Sequence, residues 1–400
     1  MTSGIFTDKK NILSKLPLII SLFLTSCMAE FNSIEFQKEV GIRLADSNAT
    51  KETVVLYHNL KQLSQNKTIF GHHHTSAYGI GWRGDDNRSD VKDVCGSFPG
   101  LYGWDFADFN SADTTGFAKL VTSRIIEAHA RGGVNTLCWH LNNPITDQIF
   151  YDTTIAVKHI LPGGKYFQKY LRILDSLAET TKQLVDANGN PIPIIFRPFH
   201  EFDGSWFWWG KKFCTREEFI RLWQVTVDYL RDYKNLRNII YAFSPDRNFY
   251  NKEELLDRYP GDEYVDVIGM DDYYDFTPEG DGLDWVTKKL RLVTEVAKEK
   301  NKLAAFTETG SETIPDTSWW TDKLLKVIND DSVKIAYVMV WRNGWERHYY
   351  APHPGHPSAE NFVEFRKNPK ILFEDDLPPL YNQLINDSHT IKVTTKESNK

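Results

Sequence analysis

The run most informative for the fold is Ile192-Pro193-Ile194-Ile195-Phe196-Arg197-Pro198-Phe199-His200-Glu201. It is rich in β-branched and aromatic residues, and its apolar part does not alternate with polar ones. Such a run is typical of a strand that is buried on both faces. Strands of this kind occur in parallel sheets that helices cover on both sides, so the run predicts an α/β fold.

Similar runs recur along the chain. They are Ile69–His74, Phe98–Phe106, Val134–His140, Ile239–Pro245, Val265–Tyr274, Leu303–Gly310 and Ile335–Asn343. Amphipathic stretches with helical spacing lie between them, at Phe117–Arg131, Tyr166–Ala187, Arg216–Tyr233, Leu283–Lys300 and Thr321–Asn329. Eight strands that alternate with helices over roughly 300 residues predict a (β/α)8 TIM barrel.

No linker or internal repeat divides these elements. We therefore expect a single catalytic domain over residues 51–388, with a leading helix at Glu52–Gln65, and a polar tail over residues 389–400. The segment after about Pro352 should pack on the barrel. A doubly wound open sheet would need a glycine-rich phosphate loop after its first strand, and Gly71-His72-His73-His74 does not provide one.

The composition narrows the class of protein. Of 400 residues, 41% are hydrophobic and 25% are charged, as in a globular chain. A formal net charge of −7 disfavours a nucleic-acid surface. The aromatic share is 14%, with 12 Trp. A partner with repeating flat faces, such as a polysaccharide, would use exposed rings of this kind.

The N-terminus has the features of an export signal. Lys9, Lys10 and Lys15 precede the apolar run Leu16–Leu24, which is too short to span a bilayer. Leu24-Thr25-Ser26-Cys27 follows and resembles a bacterial lipobox. We expect residues 1–26 to be removed, Cys27 to carry lipid and residues 27–50 to form a tether, so that the protein meets the membrane only through this anchor. A plain signal peptide with an incidental cysteine is the alternative, and the sequence leaves the membrane face open.

Polar residues stand at the ends of the apolar runs. They are His74, Asp105, His140, Glu201, Asp246, Tyr273, Glu308 and Arg342. The active sites of barrel enzymes form at this face, because the strand ends and the loops after them converge there. Glu201 and Glu308 stand out, since an acid that ends an apolar strand is costly unless it is paired or functional.

Glycoside hydrolysis uses two such carboxyl groups. One protonates the leaving oxygen, and the other acts on the opposite side of the anomeric carbon, about 5–5.5 Å away in a retaining enzyme. The structural alternative is an ion pair with an arginine. Arg197 shares the parity of Glu201 on its strand and could point to the same interior.

At these positions the sequence resembles glycoside hydrolase family 26, chiefly its β-1,4-mannanases. The motifs are Phe70-Gly71-His72, Leu137-Cys138-Trp139-His140, Arg197-Pro198-Phe199-His200-Glu201, Gly204-Ser205-Trp206-Phe207-Trp208-Trp209-Gly210, Asp266-Val267-Ile268-Gly269-Met270-Asp271, Thr307-Glu308-Thr309-Gly310 and Trp341-Arg342-Asn343. The resemblance covers nearly all of residues 65–345 and implies a retaining (β/α)8 enzyme. By the same resemblance, Glu201 is the acid/base and Glu308 the nucleophile.

The resemblance also implies a set of supporting residues. His140 corresponds to a sugar-binding histidine and Tyr273 to a tyrosine that donates to the nucleophile. Arg197 is a candidate second donor to the nucleophile or a purely structural ion pair. His200, which directly precedes the acid/base, is a candidate substrate-binding residue. Strand alternation points it away from the side chain of Glu201, so a packed core histidine is the alternative.

Several tryptophans are candidate sugar platforms. Trp206 would stack on the leaving-group sugar, and Trp341 and Arg342 would form the platform and polar anchor of the attacked sugar. Trp208 and Trp209 cannot face the same way in an extended segment, so we expect one of them to be core. Trp82, Trp104 and Trp139 are core or distal-subsite candidates. The segments Arg83–Asp90 and Asn142–Gly164 are the places where loops would shape the cleft.

The sequence gives no support for a metal or another cofactor. The run His72-His73-His74 cannot ligate one ion from an extended strand, because alternate side chains diverge. No zinc-protease, serine-triad or phosphate-loop signature is present. Beyond Cys27 the chain has Cys95, Cys138 and Cys214, an odd number, so at least one thiol should be free.

We therefore expect a monomeric hydrolase that acts on mannan, galactomannan or glucomannan, or on manno-oligosaccharides. Two alternatives stay open within the family, a β-1,3-xylanase and a mixed-linkage β-glucanase, which share both glutamates. A third belongs to another class, a lipid-anchored glycan-binding protein on an inactive barrel. That protein would keep the aromatic residues and lose one of the two carboxylates.

Overall fold

The computed structural model describes residues 31–109 and 114–385. Its strands are β1 (Thr68–His73), β2 (Tyr78–Gly79), β3 (Trp82–Arg83), β4 (Leu101–Asp105), β5 (Val134–Cys138), β6 (Ile194–Arg197), β7 (Ile239–Phe243), β8 (Val267–Asp272), β9 (Leu303–Thr309), β10 (Tyr337–Val340) and β11 (Ile371–Leu372). The parallel order β10-β9-β8-β7-β6-β5-β4-β1 closes through a pairing of β10 with β1. The predicted (β/α)8 barrel is confirmed, and β2 with β3 forms a small separate hairpin.

Helices alternate with the barrel strands. They are α1 (Ser33–Glu39), α2 (Lys51–Leu63), α3 (Asp90–Cys95), α4 (Phe117–Ala130), α5 (Val157–Ile160), α6 (Phe167–Gln183), α7 (Arg216–Asp228), α8 (Lys252–Leu255), α9 (Leu283–Glu299), α10 (Lys326–Ile328) and α11 (Ala359–Lys367). Wider π-helical turns extend α7 over Tyr229–Tyr233 and precede α10 over Trp320–Leu325. Within the described part of the chain, no helix combines the length and apolarity that a bilayer crossing needs.

The leading helix closes the N-terminal end of the barrel. A capping hydrogen bond of 3.3 Å runs from the backbone N–H of Thr53 to Oγ1 of Thr50 at the start of α2. Leu56 and Leu60 of this helix belong to a buried cluster with the first residues of the strands, such as Ile69. The predicted helix at Glu52–Gln65 is therefore confirmed, and the opposite end of the barrel is left open for a site.

The predicted tether is partly wrong. From Asn32 onward the segment belongs to the same compact unit as the barrel, and Ile42 and Leu44 are buried. The backbone N–H of Ala45 donates a 2.6 Å hydrogen bond to Oδ1 of Asp266, the residue before β8. Buried apolar side chains and a buried acceptor distant in sequence thus hold against the barrel residues that we expected to form a tether. The predicted signal at residues 1–26, Cys27 and the tail at residues 389–400 lie outside the described residues.

Candidate active site

A cavity of about 820 Å³ opens at the C-terminal end of the barrel. Glu201 follows β6 and Glu308 lies in β9, and both line this one cavity. The other sequence-predicted residues that line it are His140, His200, Tyr273 and Trp341. The fold therefore brings the two carboxyl groups together at the face where the active sites of barrel enzymes form.

The backbone after β6 leaves the extended conformation before it reaches Glu201. The strand ends at Arg197, and Phe199 and Glu201 have φ angles of 50° and 55°, which are uncommon for residues other than glycine. The backbone N–H of Glu201 donates 2.9 Å to the carbonyl of Ser244 and holds this turn against the end of β7. Because strand alternation stops at Arg197, His200 and Glu201 line the same cavity, and the predicted opposite orientation of His200 is wrong.

The surroundings of Glu201 favour its neutral form. Burial raises the pKa of its carboxyl group well above the usual range, and the negative charges of Asp246, Asp271 and Glu308 add to the effect. A 2.6 Å hydrogen bond from Nε1 of Trp206 acts in the opposite direction. A carboxyl group with a raised pKa keeps its proton to a higher pH than an ordinary glutamate does, and it can therefore act as a proton donor.

Donors fix both oxygens of Glu308. Oη of Tyr273 donates 2.7 Å to Oε1, and the guanidinium of Arg197 donates to Oε2. Arg197 is buried and also donates to Asp271. Of the two predictions for Arg197, the second donor to Glu308 is thus the observed contact. Glu308 faces the cavity as an oriented carboxylate whose charge is balanced by a buried guanidinium.

Asp105 orients His140. Nδ1 of His140 lies 2.6 Å from Oδ2 of Asp105, and the backbone N–H of His140 donates 3.1 Å to Oδ1. Burial acts to raise the pKa of Asp105, but His140 and the backbone donors outweigh it, and that pKa is lowered. The carboxylate therefore accepts a hydrogen bond from the Nδ1–H of His140, and Nε2 is the nitrogen that can accept a hydrogen bond from a ligand in the cavity.

His200 stands beside His140 with its own ring perpendicular, at a centroid distance of 4.7 Å. It is 1% exposed, and its Nδ1 has no hydrogen-bond partner within the described part of the chain. Burial, followed by the charges of Arg197 and His140, lowers the pKa of His200 well below the ordinary value. His200 is therefore a neutral imidazole in the wall of the cavity.

The two residues that follow β10 diverge. Trp341 stacks on His73 at a centroid distance of 4.0 Å and lines the main cavity. Arg342 instead lines an adjoining pocket of about 370 Å³, where it donates 3.3 Å to Oη of Tyr78. The structure therefore does not bring Arg342 to the same part of the cleft as Trp341.

The tryptophan-rich loop after β6 contributes one exposed ring. Trp206 is 37% exposed, and a side chain at Gly204 would lie 2.3 Å from that ring, so glycine is needed there. Trp208 and Trp209 are both fully buried and donate to the carbonyls of Leu141 and His200. Our expectation that only one of this pair is core is wrong, because the loop is a series of turns and not an extended segment. Of the other tryptophans, Trp104 and Trp139 are buried, and Trp82 lines the adjoining pocket.

The cavity wall also contains five aromatic residues that the sequence analysis does not predict, namely Tyr151, Phe207, Tyr274, Phe276 and Tyr350. Tyr151 is 55% exposed and stacks on Phe207 at a centroid distance of 5.5 Å. It lies in the Asn142–Gly164 segment that we expected to shape the cleft. Loop residues follow no helical or strand period, so only that general expectation pointed to this ring.

The three consecutive histidines turn to different partners. Nδ1 of His72 lies 2.9 Å from Oγ1 of Thr75, His73 packs under Trp341, and Nε2 of His74 lies 2.6 Å from Oδ2 of Asp108. Across residues 31–109 and 114–385, one group of at least three possible metal ligands comes together, and it is formed by Asp105, Cys138 and His140. The described cysteines are all unpaired, at positions 95, 138 and 214.

Comparisons with known proteins agree with this geometry. A family model described as Glycosyl hydrolase family 26 matches residues 45–363. A mannan endo-1,4-beta-mannosidase of Bifidobacterium adolescentis is 34% identical over 324 residues, which cover 76% of this chain and 32% of that relative. The chain thus spans about a third of the length of this relative.

Solved structures give the same relationship. A family 26 beta-mannanase from Bacteroides ovatus is 42% identical, with a TM-score of 0.80, and the match covers 85% of this chain and 100% of that one. A family 26 protein from a Muricauda species is 39% identical, with a TM-score of 0.82, and the match covers 89% of this chain and 100% of that one.

Proposed function

The chain belongs to glycosyl hydrolase family 26, and we propose that it hydrolyses β-1,4-mannosidic linkages in mannan, galactomannan or glucomannan with retention of configuration. One observation carries the proposal: Glu201 and Glu308 line the same cavity in opposite environments. Burial and negative neighbours raise the pKa of Glu201, whereas a tyrosine and an arginine donate hydrogen bonds to Glu308 and orient its carboxylate. These are the environments that an acid and a nucleophile require.

The chemistry follows from these two environments. Glu201 donates its proton to the glycosidic oxygen while an oxygen of Glu308 attacks the anomeric carbon, and a covalent glycosyl-enzyme forms. Glu201, now ionised, removes a proton from an incoming water that hydrolyses this intermediate. Two inversions at one carbon give overall retention. Both steps pass through oxocarbenium-like transition states and use carboxyl groups that the chain supplies.

We also assign residues around the cavity to the individual sugar units of the substrate. We assign Trp341 and His140 to the sugar under attack, because both line the cavity with Glu308. We assign the exposed ring of Trp206 to the leaving-group sugar, because it hydrogen-bonds the acid Glu201. Arg342 lies in the adjoining pocket, so we assign it to the next sugar along the chain, not to the attacked one. Aromatic rings suit this role because they offer flat apolar faces to sugar rings.

A panel of polymers tests the substrate. Release of reducing ends by the purified full chain should be fastest on β-1,4-mannan and slow on β-1,3-xylan and lichenan. Fastest release on xylan would favour a β-1,3-xylanase, and fastest release on lichenan a mixed-linkage glucanase. Binding of mannan without release of reducing ends would favour a non-catalytic glycan-binding protein.

We also propose that Cys27 carries a lipid that anchors the protein to a bacterial membrane. The sequence Leu24-Thr25-Ser26-Cys27 after an apolar run supports this proposal. The backbone N–H of Thr50 donates 2.8 Å to the carbonyl of Arg237, which lies before β7, so the N-terminal segment contacts the barrel opposite the cavity.

Detergent partitioning tests the anchor. The protein made in an exporting bacterium should enter the detergent phase of a Triton X-114 separation, and the Cys27→Ser variant should stay in the aqueous phase. Aqueous partitioning of both proteins would favour the plain signal peptide.

We propose that the protein without its lipid is a monomer. Sedimentation equilibrium measures its mass in solution and tests this proposal directly.

A further inference from the structure

Three side chains that can bind a metal ion lie close together where β4 and β5 end, namely Asp105, Cys138 and His140. Asp105 and Cys138 are the last residues of those strands and are direct neighbours in the sheet, and His140 follows two residues later. One atom from each, a carboxylate oxygen, Sγ and a ring nitrogen, lies within 4.8 Å of the other two. In the proposed mechanism Asp105 orients His140, the opposite edge of the His140 ring meets the substrate, and Cys138 has no task.

The distances in the cluster are close to those of a metal site. Nδ1 of His140 lies 3.7 Å from Sγ of Cys138 and 2.6 Å from Oδ2 of Asp105. Tetrahedral zinc, with Zn–S near 2.3 Å and Zn–N near 2.0–2.1 Å, separates S and N ligands by about 3.6 Å. The sulfur and the nitrogen therefore already have the required spacing. The carboxylate would have to withdraw by less than about 1 Å, which a small side-chain rotation provides.

The donor set selects the class of ion. Thiolate, imidazole and carboxylate together suit Zn²⁺ or Cd²⁺, whereas Mg²⁺ and Ca²⁺ prefer oxygen donors alone. The side chains of His140 and Asp105 keep 12% and 11% of their surface exposed, and Cys138 is 2% exposed. An ion can thus arrive from the mouth of the barrel, with the sulfur as the innermost ligand.

We propose that Asp105, Cys138 and His140 form an inhibitory binding site for Zn²⁺ or Cd²⁺. On binding, the Cys138 thiol releases its proton to water and its sulfur bonds the ion. The ion replaces the proton that Nδ1 of His140 shares with Asp105, and the proton of the neutral imidazole moves to Nε2. Asp105 supplies the third ligand oxygen, and water completes the coordination sphere.

The ion would change what His140 presents to the cavity. With the proton on Nδ1, Nε2 accepts a hydrogen bond from a sugar hydroxyl, and with the metal on Nδ1, Nε2 can only donate. A bound ion therefore replaces an acceptor by a donor at the attacked sugar and slows hydrolysis. This inhibitory effect rests on the proposed hydrolase function, whereas binding of the ion does not.

Cadmium titration of the full chain in a Cys27→Ser background tests the site. We expect one Cd²⁺ per chain, an ultraviolet sulfur-to-cadmium charge-transfer band, and a rise in the unfolding temperature that EDTA reverses. Cys138→Ser should abolish the band and weaken binding at least tenfold. Cys95→Ser and Cys214→Ser are matched controls, because they remove the other described thiols, and both should keep the band.

Hydrolysis provides an independent readout. Cd²⁺ should inhibit the parent protein and the two control variants, EDTA should restore activity, and Cys138→Ser should need at least tenfold more Cd²⁺ for the same inhibition. An unchanged band in Cys138→Ser, or its loss in a control variant, would overturn the proposal. Cys138→Ala replaces Cys138→Ser if the latter shows no cooperative unfolding. A chain without hydrolase activity would still show the sulfur-to-cadmium band if the metal site exists. Failure of the proposed hydrolase function can therefore be distinguished from failure of the proposed metal site.

Discussion

Nε1 of Trp206 donates a 2.6 Å hydrogen bond to Oε2 of Glu201. Burial and three negative neighbours raise the pKa of Glu201, and this indole donor lowers it, because a donor stabilises the ionised form. The balance matters to a residue that must be neutral in the first step and ionised in the second. We propose that Trp206 combines two tasks, an apolar face for a sugar and a hydrogen-bond donor to the acid.

Trp206→Phe separates these two tasks, since it keeps an aromatic ring and removes the donor. Loss of the donor destabilises the ionised form of Glu201 and raises its pKa further. The acid must be protonated in the free enzyme, so the alkaline limb of the kcat/KM profile should move to higher pH. A pH profile on a soluble manno-oligosaccharide measures this shift. Trp285→Phe is the control, because that ring lies on α9 and lines neither the main cavity nor the adjoining pocket. A limb that moves to lower pH would contradict the assignment.

Trp206→Ala removes the ring as well. We expect a loss of about 1–3 kcal/mol in transition-state binding, by analogy with exposing a large apolar group. The loss should be greater on polymer than on a substrate with a small aryl leaving group, because the latter has no sugar to stack on the ring. Parallel kcat/KM measurements on both substrates check this expectation. Equal losses, or a collapse of the thermal transition, would instead make Trp206 a structural residue.

The parts of the site that could be predicted from the sequence lie at strand ends. A buried strand has a recognisable composition, and in a barrel the C-terminal ends of the strands lie at the mouth. Local sequence therefore predicts that Glu308 and His140 lie at the mouth. The prediction for His200 failed because alternation holds only within a strand. Two residues after Arg197, Phe199 and Glu201, have left-handed backbone conformations that turn the chain, and the two-residue period of a strand cannot show where such a turn begins.

Long-range contacts account for the other differences. Residues 32–50 look like a tether in sequence, but a buried carboxylate, Asp266, accepts the backbone N–H of Ala45 from 221 positions away. Tyr151 reaches the cavity from a loop without periodicity and stacks on Phe207 from another loop. The partners of such residues are set by the closed barrel, so they cannot be predicted from a local sequence pattern.

Tyr273→Phe removes the donor to Oε1 of Glu308 and leaves the ring. A hydrogen bond to a charged group contributes about 1.5–3 kcal/mol, which corresponds to a loss of about 10–100-fold if the bond acts fully in the transition state. We therefore expect kcat/KM to fall by about this factor with little change in unfolding temperature. Steady-state kinetics on an aryl mannobioside measures it. Tyr233→Phe, at a ring that is 73% exposed, should leave the rate unchanged.

Arg197→Met tests the buried ion network. Arg197 is 1% exposed and donates to Asp271 and Glu308, so its loss leaves two buried carboxylates without their cation. Breaking such a pair costs about 3–5 kcal/mol in the free energy of unfolding, which urea titration measures. Arg291→Met is the matched control, because Arg291 pairs with Asp330 at the surface and should contribute about 0–1 kcal/mol. Equal losses in the two variants would show that the buried network is not stabilising.

The two glutamates can be told apart by their timing. An acid is needed only when the leaving group is poor, whereas a nucleophile is needed for every substrate. Glu201→Ala should therefore slow hydrolysis of polymer by about 10²–10⁴-fold and largely spare the first step on a dinitrophenyl mannobioside. Deglycosylation then limits turnover because no base activates water. Added azide should speed that step and give the β-azide.

Glu308→Ala should be inactive on both substrates, because no covalent intermediate can form. Azide can enter the space that the carboxylate leaves and attack the anomeric carbon from that side, so the product should be the α-azide. Nuclear magnetic resonance of the purified products reads the anomeric configuration. The opposite pair of azides would exchange the roles of Glu201 and Glu308. Near-wild-type activity of either variant on polymer would exclude double displacement by these two residues, since hydrolysis of polymer by the retaining mechanism needs both the acid/base and the nucleophile.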